Sequence, residues 1–110
     1  MPAKPSPWHA ALEESLEAAD FGLPLGYELR WHPLPPFDDW IVHISGSGHD
    51  AAVLITAHQM TMSENLISLV NDNAAGRLIK IIATPNSREI ESELIERLEK
   101  SSIHLLRYEI

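Results

Sequence analysis

The chain contains no cysteine. That excludes disulfide staples, thiolate nucleophiles and zinc–thiolate sites, and it fits a reducing compartment. Long apolar runs are also missing. Nowhere do the roughly 18 apolar residues of a membrane-spanning helix stand together. The opening MPAKPSPW has one lysine and no apolar run behind it, unlike a secretory signal. A cytoplasmic protein is the expectation. Positive charge is scarce: of 8 lysines and arginines, only Lys4 and Arg30 fall in the first half, and the net charge is −8. A phosphate-neutralising surface needs clustered basic residues, so neither nucleic acid nor an anionic membrane is an expected partner. The 6 histidines include no HExxH motif or comparable i, i+4 pair. His32, His43 and the His49-Asp50 turn are the nearest approach to a ligand set, and no metal or other cofactor is expected from them.

What is present suffices for one folded domain. The chain has 110 residues and is 45% hydrophobic, enough for a core without staples. We expect a single domain over 1–110, with residues 1–5 flexible. Ser6-Pro7 reads as a helix start, a capping hydroxyl followed by a residue whose missing N–H costs nothing there. Trp8, Leu12, Leu16 and Ala19 recur at helical spacing and Gly22 supplies a stop, giving a helix near 7–20. Strands are expected near 27–32, 40–45 and 52–57. Pro33, Pro35 and Pro36 fall between the first two, and Gly46-Ser47-Gly48 makes a turn before the third. Thr61-Met62-Ser63-Glu64 fits a capping box for a second helix, near 62–73. Arg77 to Ala83 is a strand, Asn86 with Glu89 caps a third helix near 87–100, and Ile103 to Glu109 is the last strand. The class is α/β in the order α-β-β-β-α-β-α-β. It implies a mixed five-stranded sheet with an antiparallel N-terminal part and a parallel C-terminal βαβαβ unit.

Ligands of open parallel sheets gather beyond the carboxyl ends of the strands. Those ends present His58, Gln59 and Thr61 from one crossover and Thr84, Asn86 and Ser87 from the next, the candidate binding crevice. No catalytic residue emerges. Ser45-Gly46-Ser47-Gly48-His49 lacks the Lys-Ser/Thr ending of a phosphate loop and precedes a strand, so it reads as a hairpin turn. Ser47, the one serine between glycines, is in that turn and not on a strand-to-helix elbow. Asp38-Asp39 reads as a turn cap. Arg30 to Pro36 matches a polyproline-ligand pattern, but inside a folded domain. A restriction-nuclease-like core shares the α-β-β-β-α-β order. It would need Glu-x-Lys on the strand at 52–57, where only apolar residues and threonine stand.

Residues 52–108 (AVLITAHQMTMSENLISLVNDNAAGRLIKIIATPNSREIESELIERLEKSSIHLLRY) resemble the opening half of a phospholipase-D-like lobe. In that family a VLITA-like strand, a helix, a glycine-basic segment like GRLIKII and a second helix precede the active-site strand. The HxKxxxxD motif is absent, because His104 is followed by Leu105 and Leu106. The resemblance therefore implies a related fold without phosphodiester chemistry, and it assigns no catalytic residue. The favoured reading is a non-enzymatic binding or regulatory module acting through protein–protein contacts. The alternative is a small-molecule-binding protein or enzyme using the crevice around His58 and Asn86. Glu13, Glu14, Glu17, Asp20, Asp38 and Asp39 suggest a docking face for a basic protein. One helix cannot cover a whole sheet face, so Trp31, Leu34, Phe37 and Trp40 are expected to form an apolar patch buried in a homodimer.

Overall fold

A computed structural model describes residues 7–109. The elements are α1 (His9–Ala18), β1 (Glu28–Pro33), β2 (Trp40–Gly46), β3 (His49–Thr56), α2 (Glu64–Ala74), β4 (Ile79–Pro85), α3 (Ser92–Lys100) and β5 (Ile103–Tyr108). The α-β-β-β-α-β-α-β order read from the sequence is the fold. All five strands lie in one sheet in chain order, β1-β2-β3-β4-β5. β2 is antiparallel to both β1 and β3, and β3, β4 and β5 run parallel.

Local sequence explains the joints. Ser47 and Gly48 turn β2 into β3 with φ of 54° and 80°. Paired positive angles are those of a two-residue hairpin turn, whose twist matches the flanking strands. In β3, Val53 and Ile55 enter one layer while Ala52 and Leu54 enter the other, all fully buried, as a continuous apolar run in a covered strand requires. Ala75 takes the left-handed conformation that closes α2. The Arg77 guanidinium then donates to the last carbonyls, those of Asn73 and Ala74, and pairs with Asp50 at 2.9 Å.

Both crossovers advance in one direction, and right-handed connections of that kind put their helices on the same face. There α2 and α3 pack with Leu66, Val70 and Leu98 on Val53, Ile55, Ile82 and Ile103. On the opposite face, α1 sets Leu12 and Leu16 against Val42, Leu54, Ile81 and Leu106. The chain on either side of α1 covers the rest: Trp8 before it, Ala19, Phe21, Leu23 and Tyr27 after it. Consequently Trp31, Leu34, Phe37 and Trp40 do not share one open patch. Trp40 is 5% exposed in the α1 layer, Trp31 is half-buried beside it, and Leu34 packs in the opposite layer. Only Phe37 of the four is open, at 49%.

Two helix starts differ from expectation. α3 begins at Ser92, because residues 86–91 are held as a loop: the Asn86 N–H donates to the Tyr108 carbonyl at 2.8 Å and that of Arg88 to Pro85 at 3.1 Å. Asn86 is therefore not a cap. Ser63 occupies the N-cap position of α2 with no side-chain cap bond, so the capping box does not form. The cap expected from Ser6 lies outside the described residues. Among the described residues, no helix is long and apolar enough to cross a membrane.

Candidate functional site

The start of β2 and the carboxyl ends of β3, β4 and β5 meet at one edge of the sheet, around Asp39. This residue is fully buried. An unpaired carboxylate there would cost on the order of several kcal/mol, but both oxygens are saturated. Oδ1 accepts from the Thr56 hydroxyl at 2.7 Å and from the His58 N–H at 2.5 Å. Oδ2 accepts from the N–H groups of Gln59 at 2.9 Å and Met60 at 2.7 Å. Three consecutive backbone donors thus wrap one carboxylate and fold the β3–α2 loop onto it. Thr56 continues the chain by accepting from the Trp40 N–H at 2.9 Å.

Asp38 fastens the other side. Its carboxylate accepts from the indole N–H of Trp8 at 2.8 Å and of Trp40 at 3.2 Å. Trp8 stacks on His58 with ring centroids 4.2 Å apart, and His58 Nδ1 is hydrogen-bonded to the Tyr108 hydroxyl at 2.8 Å. Burial, foremost, lowers the His58 pKa against the pull of Asp39 and Asp38, and burial raises that of Tyr108. With His58 neutral and Tyr108 holding its proton, the phenol donates and Nδ1 accepts in the Nε2–H tautomer.

His9 completes the aromatic group. Only 3% exposed, it stacks on Trp31 at 3.8 Å and meets Trp8 and Trp40 edge-on. Neither ring nitrogen has a hydrogen-bond partner among the described residues. Burial lowers its pKa to about 4, with Asp38 opposing and His58 adding to the shift. It is a neutral ring in a box of indoles.

Beyond Asp39 lies a cleft of about 500 Å³ between the β3–α2 and β4–α3 loops. Met62, Ile90 and Leu94 supply its apolar lining, and Glu64, Glu89, Glu91 and Glu93 its acidic one, with Arg88 and Arg97 also present. The Arg88 guanidinium donates to the carbonyls of Met60 and His58 and so clamps one loop to the other. The first turns of α2 and α3 carry Glu64 and Glu93, which offset the positive helix ends and disfavour an anion there. Four glutamates against two arginines leave its lining net acidic.

No family model, curated protein or solved structure matches this chain. Of the six crevice residues read from the sequence, Gln59 and Thr61 line the cleft. Asn86 and Ser87 are exposed outside its lining, and His58 is in the ring stack. Thr84 is buried and donates to the Ala57 carbonyl at 3.2 Å. Of the six acids suggested as a docking face, Glu13, Glu14, Glu17 and Asp20 are exposed, whereas Asp38 is half-buried and Asp39 is interior. Asp39 is an organiser of loops, not a surface charge.

The His32 and His43 rings lie 4.9 Å apart on neighbouring strands, with Arg30 directly opposite His43. Burial first, then the positive field of Arg77, lowers the His43 pKa. Among the described residues, no group of three or more His, Cys, Asp or Glu side chains is placed to hold a metal ion. Sequence reasoning missed His9, Arg88 and Tyr108. The available signal was an acidic pair abutting an apolar strand, whose neighbouring strand ends in Thr56-Ala57-His58.

Proposed function

We propose that the protein is a non-enzymatic binding module acting through protein–protein contacts, with the acid-lined cleft as the seat of a basic segment of its partner. The observation that carries this reading is how the polar groups at this edge are used. Asp39, Thr56, His58, Thr84, Arg88 and Tyr108 are all bonded to one another or to nearby backbone. Glu89, Glu91 and Glu93, in no ion pair among the described residues, line the cleft beside Met62, Ile90 and Leu94, while Glu64 pairs with Arg97. An apolar lining with more acidic than basic side chains around it suits an amphipathic, positively charged peptide. The setting in this reading is the cytoplasm.

Calorimetric titration with a Lys- and Arg-rich peptide of mixed apolar content tests it. Binding that weakens with salt, and that the Glu89→Lys/Glu93→Lys variant loses, is the expected result. No binding, or binding indifferent to that variant, sinks the reading. The cleft volume of about 500 Å³ also falls within the range of small-molecule sites, which supports a second reading, a small cationic metabolite. A panel of free amines in a thermal-shift assay separates the two, because a peptide site gives them no appreciable shift.

A further inference from the structure

The outer edge of the sheet is written so that it can pair with itself. β1 stands at one end of the strand order, with β2 on its inner side only. The Leu34 N–H donates to the Asp39 carbonyl at 2.8 Å, which continues the β1–β2 ladder beyond its last register pair. Antiparallel ladders alternate, so Glu28, Arg30 and His32 aim their backbone groups at β2, while Leu29 and Trp31 aim theirs outward. Pro33, which has no N–H to offer, falls in the outward set, as a proline on an edge should.

The side chains sort by face. Leu29 and Trp31 lean into the α1 layer together with Tyr27, the residue before β1. Glu28, Arg30 and His32 lie on the opposite face, where α2 packs over β3 and β4 and α3 over β5. Beside α1, a depression of about 480 Å³ is lined in part by Tyr27, Leu29 and Trp31. Glu28 and Arg30 are exposed, and among the described residues neither is in an ion pair.

We infer that β1 pairs antiparallel with β1 of a second copy of this chain, with Leu29 on the two-fold axis. In that register Tyr27 faces the other copy's Trp31, and Glu28 faces the other copy's Arg30, each contact occurring twice. The outward N–H and C=O groups of Leu29 bond reciprocally across the axis. Sliding the strands by two residues sets Arg30 against Arg30, and like charges directly opposed are destabilising. Charge therefore selects one register where the backbone alone would accept several. The sheet becomes ten-stranded, and the edge that would otherwise template aggregation is closed. Of the four residues expected at a dimer interface, only Trp31 belongs to this one. The inference is independent of the cleft.

Light scattering on the intact chain, with and without charge reversal, tests it. The native chain gives twice the monomer mass at tens of micromolar. Glu28→Arg and Arg30→Glu, both at exposed positions, each weaken the dimer about tenfold, since each replaces two opposite-charge pairs by like-charge pairs. Glu28→Arg combined with Arg30→Glu restores native affinity, because the pairs are then exchanged, not lost. A native monomer, a dimer indifferent to both single reversals, or a failure of the double variant to recover would each overturn the inference. Peptide binding at the cleft, measured on the same single variants, stays at its native value, so failure of this inference and failure of the cleft reading are told apart.

Discussion

On the α1 side of the sheet, rings from five parts of the chain meet: Trp8 and His9, Trp31 of β1, Trp40 of β2, His58 of the β3–α2 loop and Tyr108 of β5. On the α2/α3 side the buried residues are aliphatic, with Val53, Ile55, Leu66, Val70, Ile82, Leu98 and Ile103 prominent. The aliphatic layer is held by area alone, which is non-directional and tolerates exchange of one branched residue for another. The aromatic layer is directional. Its indole N–H groups, phenol and carboxylates must each find a partner, so it admits few arrangements. The consequence is a division of labour. Both faces bury aliphatic side chains, and the α1 face also fixes how the loops at the carboxyl edge are placed.

Substitutions can break that division, beginning with the largest effect. Asp39→Ala removes the acceptor of four hydrogen bonds, one buried and three part-buried. It should cost about 4 kcal/mol in urea unfolding and shift tryptophan emission, because buried donors are left unpaired. Leu98→Ala, in the aliphatic layer, should cost about 3 kcal/mol through its cavity. It should leave folded-state tryptophan emission unchanged, since all three tryptophans lie in the other layer. An emission shift from Leu98→Ala would mean that the layers are not separable.

The third effect depends on pH. The folded-state pKa of His9 is depressed to about 4 from an ordinary 6.5, so between those values the unfolded chain binds more protons. The stability this ring contributes is complete above the ordinary value and is lost as pH falls toward the folded one. Asp38 and His58 are the charged or titratable neighbours that act on it. His9→Phe keeps the stack and removes the titration. The native chain should therefore lose about 2 kcal/mol more than the variant between pH 7.5 and pH 5. Equal pH dependence in both would place the ring in contact with water. The smallest effect is expected of Trp8→Phe, which deletes the indole donor to Asp38 and should cost about 1.5 kcal/mol.

Patterns that live within one element were legible. The apolar run 52–57, the helical stripe of Trp8, Leu12 and Leu16, and the glycine-serine turn all describe their own backbone, and all appear in the fold. Residues 86–91 were misread because Asn86 carries a local capping signal, whereas Tyr108 claims its backbone N–H from the last strand. Asp39 was misread for a related reason. Adjacent acids look like a solvated turn until the donors of residues 56–60 are known to converge on one of them. His9 offered no signal at all, since its environment comes from Trp31 and Trp40 on other elements. At the candidate site, Gln59 and Thr61 were found from strand ends alone. Glu89 and Glu91 of the cleft were not, because the loop that carries them reads as helix from its sequence.

The unbroken strand order bears on how the chain assembles. Each strand hydrogen-bonds to the strand made just before it, so every pairing step closes only the segment between consecutive elements. Short closures carry a small entropic cost, and topologies rich in them fold fast. The sheet can therefore grow by accretion as the chain leaves the ribosome, with no strand waiting to be inserted. Contacts made by the chain ends do not follow this schedule. The α1 region packs on β5, Trp8 against Tyr108 and Phe21 against His104, which joins the first helix to the last strand. Until β5 is in place, α1 lacks part of its seat, and Trp8 cannot complete its stack on Tyr108.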